Sequence, residues 1–246
     1  TMTGKIIFAA LSLMLLTTTH TFAKEPAEGA EEFHELVDSW INDEINSETL
    51  IGGINLLEGA IIAEGDTWVN LYWRARIALI RGQIYYENKD KEASLAELKE
   101  SHLLIRKSIS IQEHSDSWRV MSESSSLIMV QRGVAYIILN FMKAQNQAKK
   151  SIELDPENAR AHLVVAQFLT NAPRIAGGNR KKGIRILQDQ LSRSDLIDED
   201  RFLLFLTLSE ALERNKQSDE ALVAYQEALN IFPGYRLAPT VVVDLE

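Results

Sequence analysis

The sequence predicts an all-α fold, a superhelix of about five antiparallel helix hairpins (an α-solenoid). Apolar residues recur at intervals of three or four along most of the chain, which is the spacing of one helix face. Small–large–small triplets recur roughly once per expected hairpin and are typical of helices that pack closely in pairs. The first strand-like pattern is the β-branched run 240–243, which we expect to be a C-terminal tail against the superhelix.

The most complete repeat lies at 205–233. Its large–large–small–large and small–large–small patterns, closed by proline, fall at Phe205, Leu208, Ser209, Leu212, Ala221, Tyr225, Ala228 and Pro233. These sizes and spacings match the tetratricopeptide (TPR) repeat of about 34 residues. The small residues allow two helices to approach closely, and Pro233 ends the second helix because it lacks an N–H group. Ser218 and Asp219 are expected to cap that helix.

Four earlier hairpins are predicted from the small residues that open their second helices: Gly53, Ser94, Ala144 and Gly183. The first of these hairpins fits the repeat poorly, as expected of an element that caps the end of a solenoid. Ser47, Asp66 and Asp116 precede apolar helical patterns, so each is expected to cap the helix that follows it. Residues in excess of an ordinary repeat are expected in the loop 171–179 and the connection 192–200, where turn-forming residues cluster.

A local motif of the second hairpin recurs in the third, since Arg132-Gly133-x2-Tyr136 matches Arg81-Gly82-x2-Tyr85. We expect the two motifs to be structurally equivalent. Both glycines are therefore placed inside the first helix of their hairpins.

The N-terminus has the pattern of a secretory signal peptide. An apolar or small run over 6–16 follows Lys5, and small residues lead to Ala23. The run is too short to span a bilayer. We expect cleavage after Ala23, a linker over 24–29, one TPR-like domain over 30–246, and a periplasmic or secreted location. The chain has no cysteine to carry a lipid, and a retained signal acting as an anchor stays open as an alternative.

Charge and catalytic patterns exclude several classes of protein. The formal charge of −9 argues against a nucleic-acid partner, because phosphates would be repelled. The histidines after residue 23 show no zinc-binding spacing, and no nucleophile elbow is present. We therefore predict a non-enzymatic protein without metal or cofactor. The acidic run 198–200 is expected to begin a helix, where the helix dipole stabilises negative charge. Capping is therefore preferred there over metal binding.

The loop 171–182 is the first candidate binding feature. Its candidate residues are Arg174, Gly177, Gly178, Asn179, Arg180 and Lys181. The glycines permit a tight reversal, Asn179 is expected to cap the next helix, and free N–H groups at a helix start attract anions. The favoured alternative is a solvated basic edge that pairs with Asp155 or Glu157.

The second candidate feature is aromatic and basic. It comprises Trp73, Arg74, Arg81, Tyr85 and Trp118, with Arg76 and Arg119 nearby in the pattern. Packing is the favoured role for Trp73 and Tyr85, because large aromatic side chains are usually part of a core. Arg74 and Arg81 are instead candidates to face a groove on the concave side of the superhelix.

The helix 73–76 and the loop 171–179, read as Trp-Arg-x-Arg and Asn-Ala-Pro-x-x-x-Gly-Gly-Asn, resemble the T-component family of periplasmic proteins associated with TRAP transporters. The resemblance implies irregular TPR-like hairpins with a groove or tunnel. It also implies a role in assisting a solute-binding subunit that moves organic acids or other apolar-tailed ligands. We expect a non-enzymatic adaptor that binds a protein partner. The alternative is a direct binder of a small anionic or apolar ligand, and homo-oligomer formation stays open.

Overall fold

The computed structural model describes residues 30–174 and 177–235, and all the regular structure within these ranges is helical. The helices are α1 (Ala30–Ile41), α2 (Ser47–Ala63), α3 (Trp68–Glu87), α4 (Lys91–Ile111), α5 (Ser115–Arg132), α6 (Val134–Leu154), α7 (Ala159–Asn171), α8 (Arg180–Leu191), α9 (Asp198–Arg214) and α10 (Ser218–Ile231). The expected signal peptide, linker and C-terminal tail lie outside the described residues. Among the described helices, none is long and apolar enough to cross a bilayer.

Consecutive helices pack against one another, so the prediction of an all-α solenoid of five hairpins is confirmed. One apolar core runs from Phe33 on α1 to Tyr235 beyond α10. The chain after α10 also returns to the turn after α1, where the Gly234 N–H donates to Asn42 Oδ1 at 2.8 Å. The first and last hairpins therefore share one interior.

Small residues bring the helices of each hairpin together, as the sequence predicts. Ser94 Oγ on α4 donates to the carbonyl oxygen of Gly82 on α3. Ser209 Oγ on α9 donates to the Ala221 carbonyl on α10 at 2.8 Å. A Cβ on Gly183 would lie only 2.9 Å from the Ala166 carbonyl oxygen. Larger side chains at these crossings would push the helices apart.

The predicted surplus residues lie between helices, as expected. Helix α7 ends at Asn171 and α8 begins at Arg180, so the first surplus is in the loop that separates them. Helix α8 ends at Leu191 and α9 begins at Asp198, which accounts for the second.

Four helix caps differ from the prediction by one or two residues. The N-caps are Asn46, Thr67, His114 and Gln217, in place of Ser47, Asp66, Asp116 and the pair Ser218 and Asp219. Thr67 caps α3 because its Oγ1 accepts the Asn70 N–H at 3.1 Å. Asp66 is thereby left to pair with Arg74 at 2.8 Å. A choice between adjacent polar residues depends on such tertiary partners, which the sequence does not show.

The third hairpin has a different register from the one predicted, and the equivalence of its glycine motif was wrong. Gly133 is the single residue between α5 and α6, with φ of 88° and ψ of −179°. The close crossing is made instead by Ser122 Oγ, which donates to the Ala144 carbonyl at 2.7 Å. These two residues are 22 apart, against 12 for Gly82 and Ser94. The close crossing of the third hairpin therefore lies further from its turn than that of the second.

The same glycine motif serves two different purposes in the two hairpins. A Cβ on Gly82 would lie 2.8 Å from Leu98 Cγ, so glycine is needed there for close helix packing. A Cβ on Gly133 would have no atom within 4 Å among the described residues, so glycine is needed there for its positive φ alone. Sequence identity at the motif could not distinguish these two causes.

Substituting alanine for glycine tests the reversal between α5 and α6. Gly133→Ala is expected to lower the free energy of unfolding by about 1–3 kcal/mol, because its backbone region is almost exclusive to glycine. Gly59→Ala is the matched control, since a Cβ there also has no atom within 4 Å but the residue is helical. That change is expected to raise stability by up to ~1 kcal/mol. Urea unfolding of both variants measures the difference, and equal effects would contradict the reversal.

Candidate binding site

The aromatic residues proposed from the sequence belong mainly to the core. Trp73 is buried, with its ring centroid 5.6 Å from that of Phe33 and 5.4 Å from that of Tyr72. Trp118 is half-buried and packs against the same core, and Tyr85 is half-buried on α3. The packing role favoured for Trp73 is therefore confirmed.

The arginines expected to face a groove are held in ion pairs. Arg81 Nε donates to Glu97 on α4 at 2.9 Å, and its Nη1 donates to Asn55 and Glu58 on α2. This side chain links three helices. Burial alone would lower the pKa of Arg81, but Glu58 and Glu97 raise it above its usual value. Arg74, paired with Asp66, is likewise neutralised. Arg81 is therefore committed to these contacts, whereas the pair of Arg74 with Asp66 lies at the surface.

The glycine loop satisfies its own amides. The N–H groups of Gly177 and Gly178 each donate at 3.0 Å to carbonyl oxygens within the loop, and that of Asn179 donates to Leu169 at 2.9 Å. Asn179 caps α8 as predicted, by accepting the Lys182 N–H at 3.1 Å. The N–H groups of residues 177–179 and of Lys182 are therefore already engaged, and the anion site at the start of α8 stays a prediction.

The cations of that loop lie in solvent. The exposed ones are Arg174, Arg180, Lys181 and Lys182. Glu157, one of their expected partners, pairs instead with Arg193 at 3.4 Å. The contacts of this loop share no residue with those of Trp73, Arg74 and Arg81, so the structure does not combine the two predicted features into one site.

A buried charge network, not predicted as a unit, joins the first helices of all five hairpins. Its members are Asp38 on α1, Arg76 on α3, Asp116, Arg119 and Glu123 on α5, Arg160 on α7, and Glu199 and Asp200 on α9. Buried charges are costly unless they are paired, and Arg119 and Arg160 are paired here, whereas Arg76 is in no ion pair among the described residues. The network therefore constrains how these five helices meet.

Arg119 is held by three groups in the middle of the network. Its Nη1 donates to Glu123 at 2.8 Å, its Nε to Asp116 at 3.1 Å, and its Nη2 to the Tyr72 hydroxyl at 3.2 Å. Burial alone would lower the pKa of Arg119, but these partners raise it well above its usual value. Its charge is permanent, and Asp116 is thereby committed to pairing rather than capping.

The acidic run at the start of α9 serves the same network. Arg160 Nε donates to Asp200 at 2.6 Å, and its Nη2 lies 3.8 Å from Glu199. All three acidic residues lie in the first turn of α9, where the helix dipole favours negative charge as predicted, although Ile197 is the N-cap and no side-chain hydrogen bond caps the helix. Metal binding is not indicated, since the described residues contain no cluster suited to an ion.

Arg76 completes the Trp-Arg-x-Arg motif from inside the core. Its guanidinium carbon lies 4.8 Å from the Phe33 ring centroid and 5.0 Å from that of Trp73, within cation–π range. Burial lowers the pKa of Arg76. The motif therefore builds the interior rather than an open surface.

A cavity of about 220 Å³, here named the α4–α6 pocket, opens between α4, α5 and α6. It is lined by Lys99, His102, Ser125, Ile128, Met129, Arg132, Tyr136, Asn140, Lys143 and Ala144. Its lining includes none of the residues proposed from the sequence. Most of the lining lies between the close crossing of Ser122 with Ala144 and the turn at Gly133.

An exposed apolar strip, here named the α6 strip, lies on the same hairpin. Its exposed fractions are Val134 72%, Ile138 73%, Leu139 81% and Met142 57%. Spacings of three and four residues connect these side chains along one helix face. The opposite side of α6 packs inward, as the Phe141 ring meets that of Phe168 at a centroid distance of 5.1 Å. Large apolar side chains exposed together on one face are typical of an interaction surface.

The sequence of the third hairpin has two unusual features that indicate a binding surface. Segment 124–152 contains Arg132, Lys143, Lys149 and Lys150 but no acidic residue, in a chain of net charge −9. Apolar residues also occupy every side of the helix over 134–142, where a helix with one buried face would have polar residues on the opposite side.

A scan against protein-family models finds no match, and a search of curated proteins finds no related sequence.

Removing one cation tests the network. Arg160→Met is expected to lower the free energy of unfolding by about 3–5 kcal/mol, because Glu199 and Asp200 would be left buried without a counter-charge. Lys150→Met is the control, since Lys150 pairs with Glu153 on the surface, where such pairs contribute at most ~1 kcal/mol. Chemical denaturation of both variants decides the question. Similar losses would show that the network does not constrain the fold.

The pH dependence of stability tests Asp38. Burial first, and then the neighbouring Glu199, raises its pKa to about 9, while Arg160 opposes the shift. The folded state therefore holds a proton that the unfolded chain releases near pH 4, so stability falls as pH rises from about 4 to 9. Asp38→Asn removes this loss. Its Tm should decline less between pH 5 and 8.5 than that of the wild type or of the exposed control Asp189→Asn, and parallel declines would disprove the assignment.

Proposed function

We propose that this chain is a non-enzymatic, periplasmic adaptor that binds a protein partner through the α6 strip. The single observation that supports the proposal is the exposure of Ile138 and Leu139, at 73% and 81%, on a helix whose opposite side is packed. Helical-repeat proteins commonly present such surfaces to partners. The structure leaves these side chains uncovered within the described residues, and an apolar partner surface would remove them from water.

The charge around the strip indicates the chemistry of the partner. Arg132 and Lys143 flank it, and neither takes part in an ion pair within residues 30–174 and 177–235. A partner with an apolar patch and an acidic rim would complement both features, and charge complementarity would also speed association. Aromatic residues that favour a membrane interface are turned inward here, since Phe141 packs on α7, so we favour a protein over a lipid surface.

The partner we propose is the solute-binding subunit of a TRAP-type transport system. Support comes from the resemblance of the helix 73–76 and the loop 171–179 to the T-component family, and from the secretory pattern of residues 1–23. An accessory role fits a helical scaffold whose interior is occupied by paired charges.

A second candidate function is direct binding of a small organic acid or lipid-like ligand. The observation that favours it is the α4–α6 pocket, with cations at its mouth and apolar side chains within. This site differs in place from the tunnel expected along the superhelix, where the buried charge network lies.

Paired glutamate substitutions test the adaptor proposal. Ile138→Glu with Leu139→Glu is expected to weaken binding of the purified chain to the TRAP solute-binding subunit from the same genome by about a hundredfold, since charge would enter the apolar contact. Calorimetric titration measures the affinity. Leu222→Glu with Val223→Glu is the matched control, because these neighbours on α10 are also exposed, at 57% and 62%.

Three outcomes would count against the adaptor function. The solute-binding subunit could fail to bind the wild type. It could instead bind both double variants equally well. Binding of the wild type, but not the strip variant, to vesicles of anionic lipid would assign the strip to a membrane instead.

A further inference from the structure

We propose that the α4–α6 pocket binds a small organic carboxylate whose apolar tail enters the pocket. The inference deepens the second candidate function and rests on it, but it does not rest on the adaptor function, since the α6 strip residues Ile138 and Leu139 are not part of the lining. It assigns a ligand site to the third hairpin and places the charged head and apolar tail of the ligand at different depths.

Three cations at the pocket mouth would hold the carboxylate. Lys99 comes from α4, Arg132 from the end of α5 and Lys143 from α6, so three helices converge on one point. All three side chains are exposed, and none is in an ion pair with a described residue. The lining itself contains no carboxylate. In an acidic chain, such a concentration of unneutralised positive charge is a local reversal of the overall field.

Arg132 is already positioned to receive an anion. Its guanidinium carbon lies 5.2 Å from the centroid of the Tyr136 ring, across the Gly133 reversal. A planar guanidinium presents two parallel N–H donors to a carboxylate. Holding it over a ring reduces the side-chain entropy lost on binding, which favours affinity.

The inner part of the pocket suits a hydrocarbon tail. Met129 is buried, Ala144 is buried and Ile128 is half-buried. The volume of about 220 Å³ is smaller than the roughly 300–1,000 Å³ of pockets that take drug-sized ligands. The ligand is therefore a short-chain acid. Inorganic phosphate has no apolar part to pack against these side chains and would leave the inner pocket unfilled.

The pKa of His102, which lines the pocket, depends on the charges around it. Its pKa is lowered by burial, then by Lys143 on α6 and Arg106 on α4. Across from it on α5, Ser124 Oγ lies 3.4 Å from Nδ1. A bound carboxylate would offset these cations, so it would raise the pKa of His102. This shift is specific to the pocket, because an acid bound elsewhere would leave it unchanged.

The test titrates the purified chain with hexanoate, following affinity by calorimetry and the His102 imidazole by NMR. Acetate lacks the tail, hexanamide lacks the charge, and inorganic phosphate lacks both the tail and the carboxylate. Hexanoate is expected to bind at least about tenfold more tightly than any of the three, since a hydrogen bond to a charged group is lost with the amide. Saturation with hexanoate should raise the pKa of His102.

Variants locate the site. Lys99→Glu with Arg132→Glu is expected to weaken hexanoate binding about tenfold or more, and to lower Tm only slightly, because both side chains are exposed and only the contact of Arg132 with Tyr136 is lost. Lys91→Glu, an exposed change on α4 away from the lining, should bind as the wild type does. Equal binding of hexanoate and hexanamide, tighter binding of phosphate, or hexanoate binding that does not move the His102 pKa would each overturn the inference.

Discussion

The helix reversal at Gly133 is the constraint on which the functional part of this structure depends. A single residue with a φ of 88° joins α5 to α6, and only glycine adopts that backbone region readily. The close crossing at Ser122 and Ala144 lies further from this reversal than the crossing at Gly82 and Ser94 lies from its own turn. The segment between that crossing and the reversal carries the α6 strip and most of the lining of the α4–α6 pocket, so both proposed binding features depend on where the chain reverses.

The buried charge network explains why binding features lie on the third hairpin rather than inside the superhelix. Arg119 and Arg160 tie the inner sides of α5, α7 and α9 to their acidic partners. A buried ion pair is weak evidence for added stability, because desolvation offsets the attraction, but breaking one is costly. The network therefore chiefly determines which helix faces pack against one another. With the interior committed in this way, exposed side chains such as those of the α6 strip are the ones available for binding.

Much of the fold was predictable from the sequence because small-residue spacing has a direct physical cause. Gly183 and Ser209 lie at close helix crossings, and the loops between α7, α8 and α9 took the surplus residues as expected. The site was not predictable in the same way. Gly133 and Gly82 share a motif but differ in backbone angle, and no local pattern separates a turn from a tight crossing. Arg81 was expected to face a groove, yet its acidic partners come from two other helices.

Native-state hydrogen exchange by NMR at residues 134–141 tests the central claim most directly, which is that the chain reverses at Gly133. The first N–H groups of a helix have no partner within it. If α6 begins at Val134, the amides of Val134, Ala135 and Tyr136 exchange quickly and those of 138–141 are protected. If the first helix instead continued through Tyr136, as the repeated motif suggests, the first three amides would be protected and a turn further along would exchange quickly. That second pattern would contradict the account.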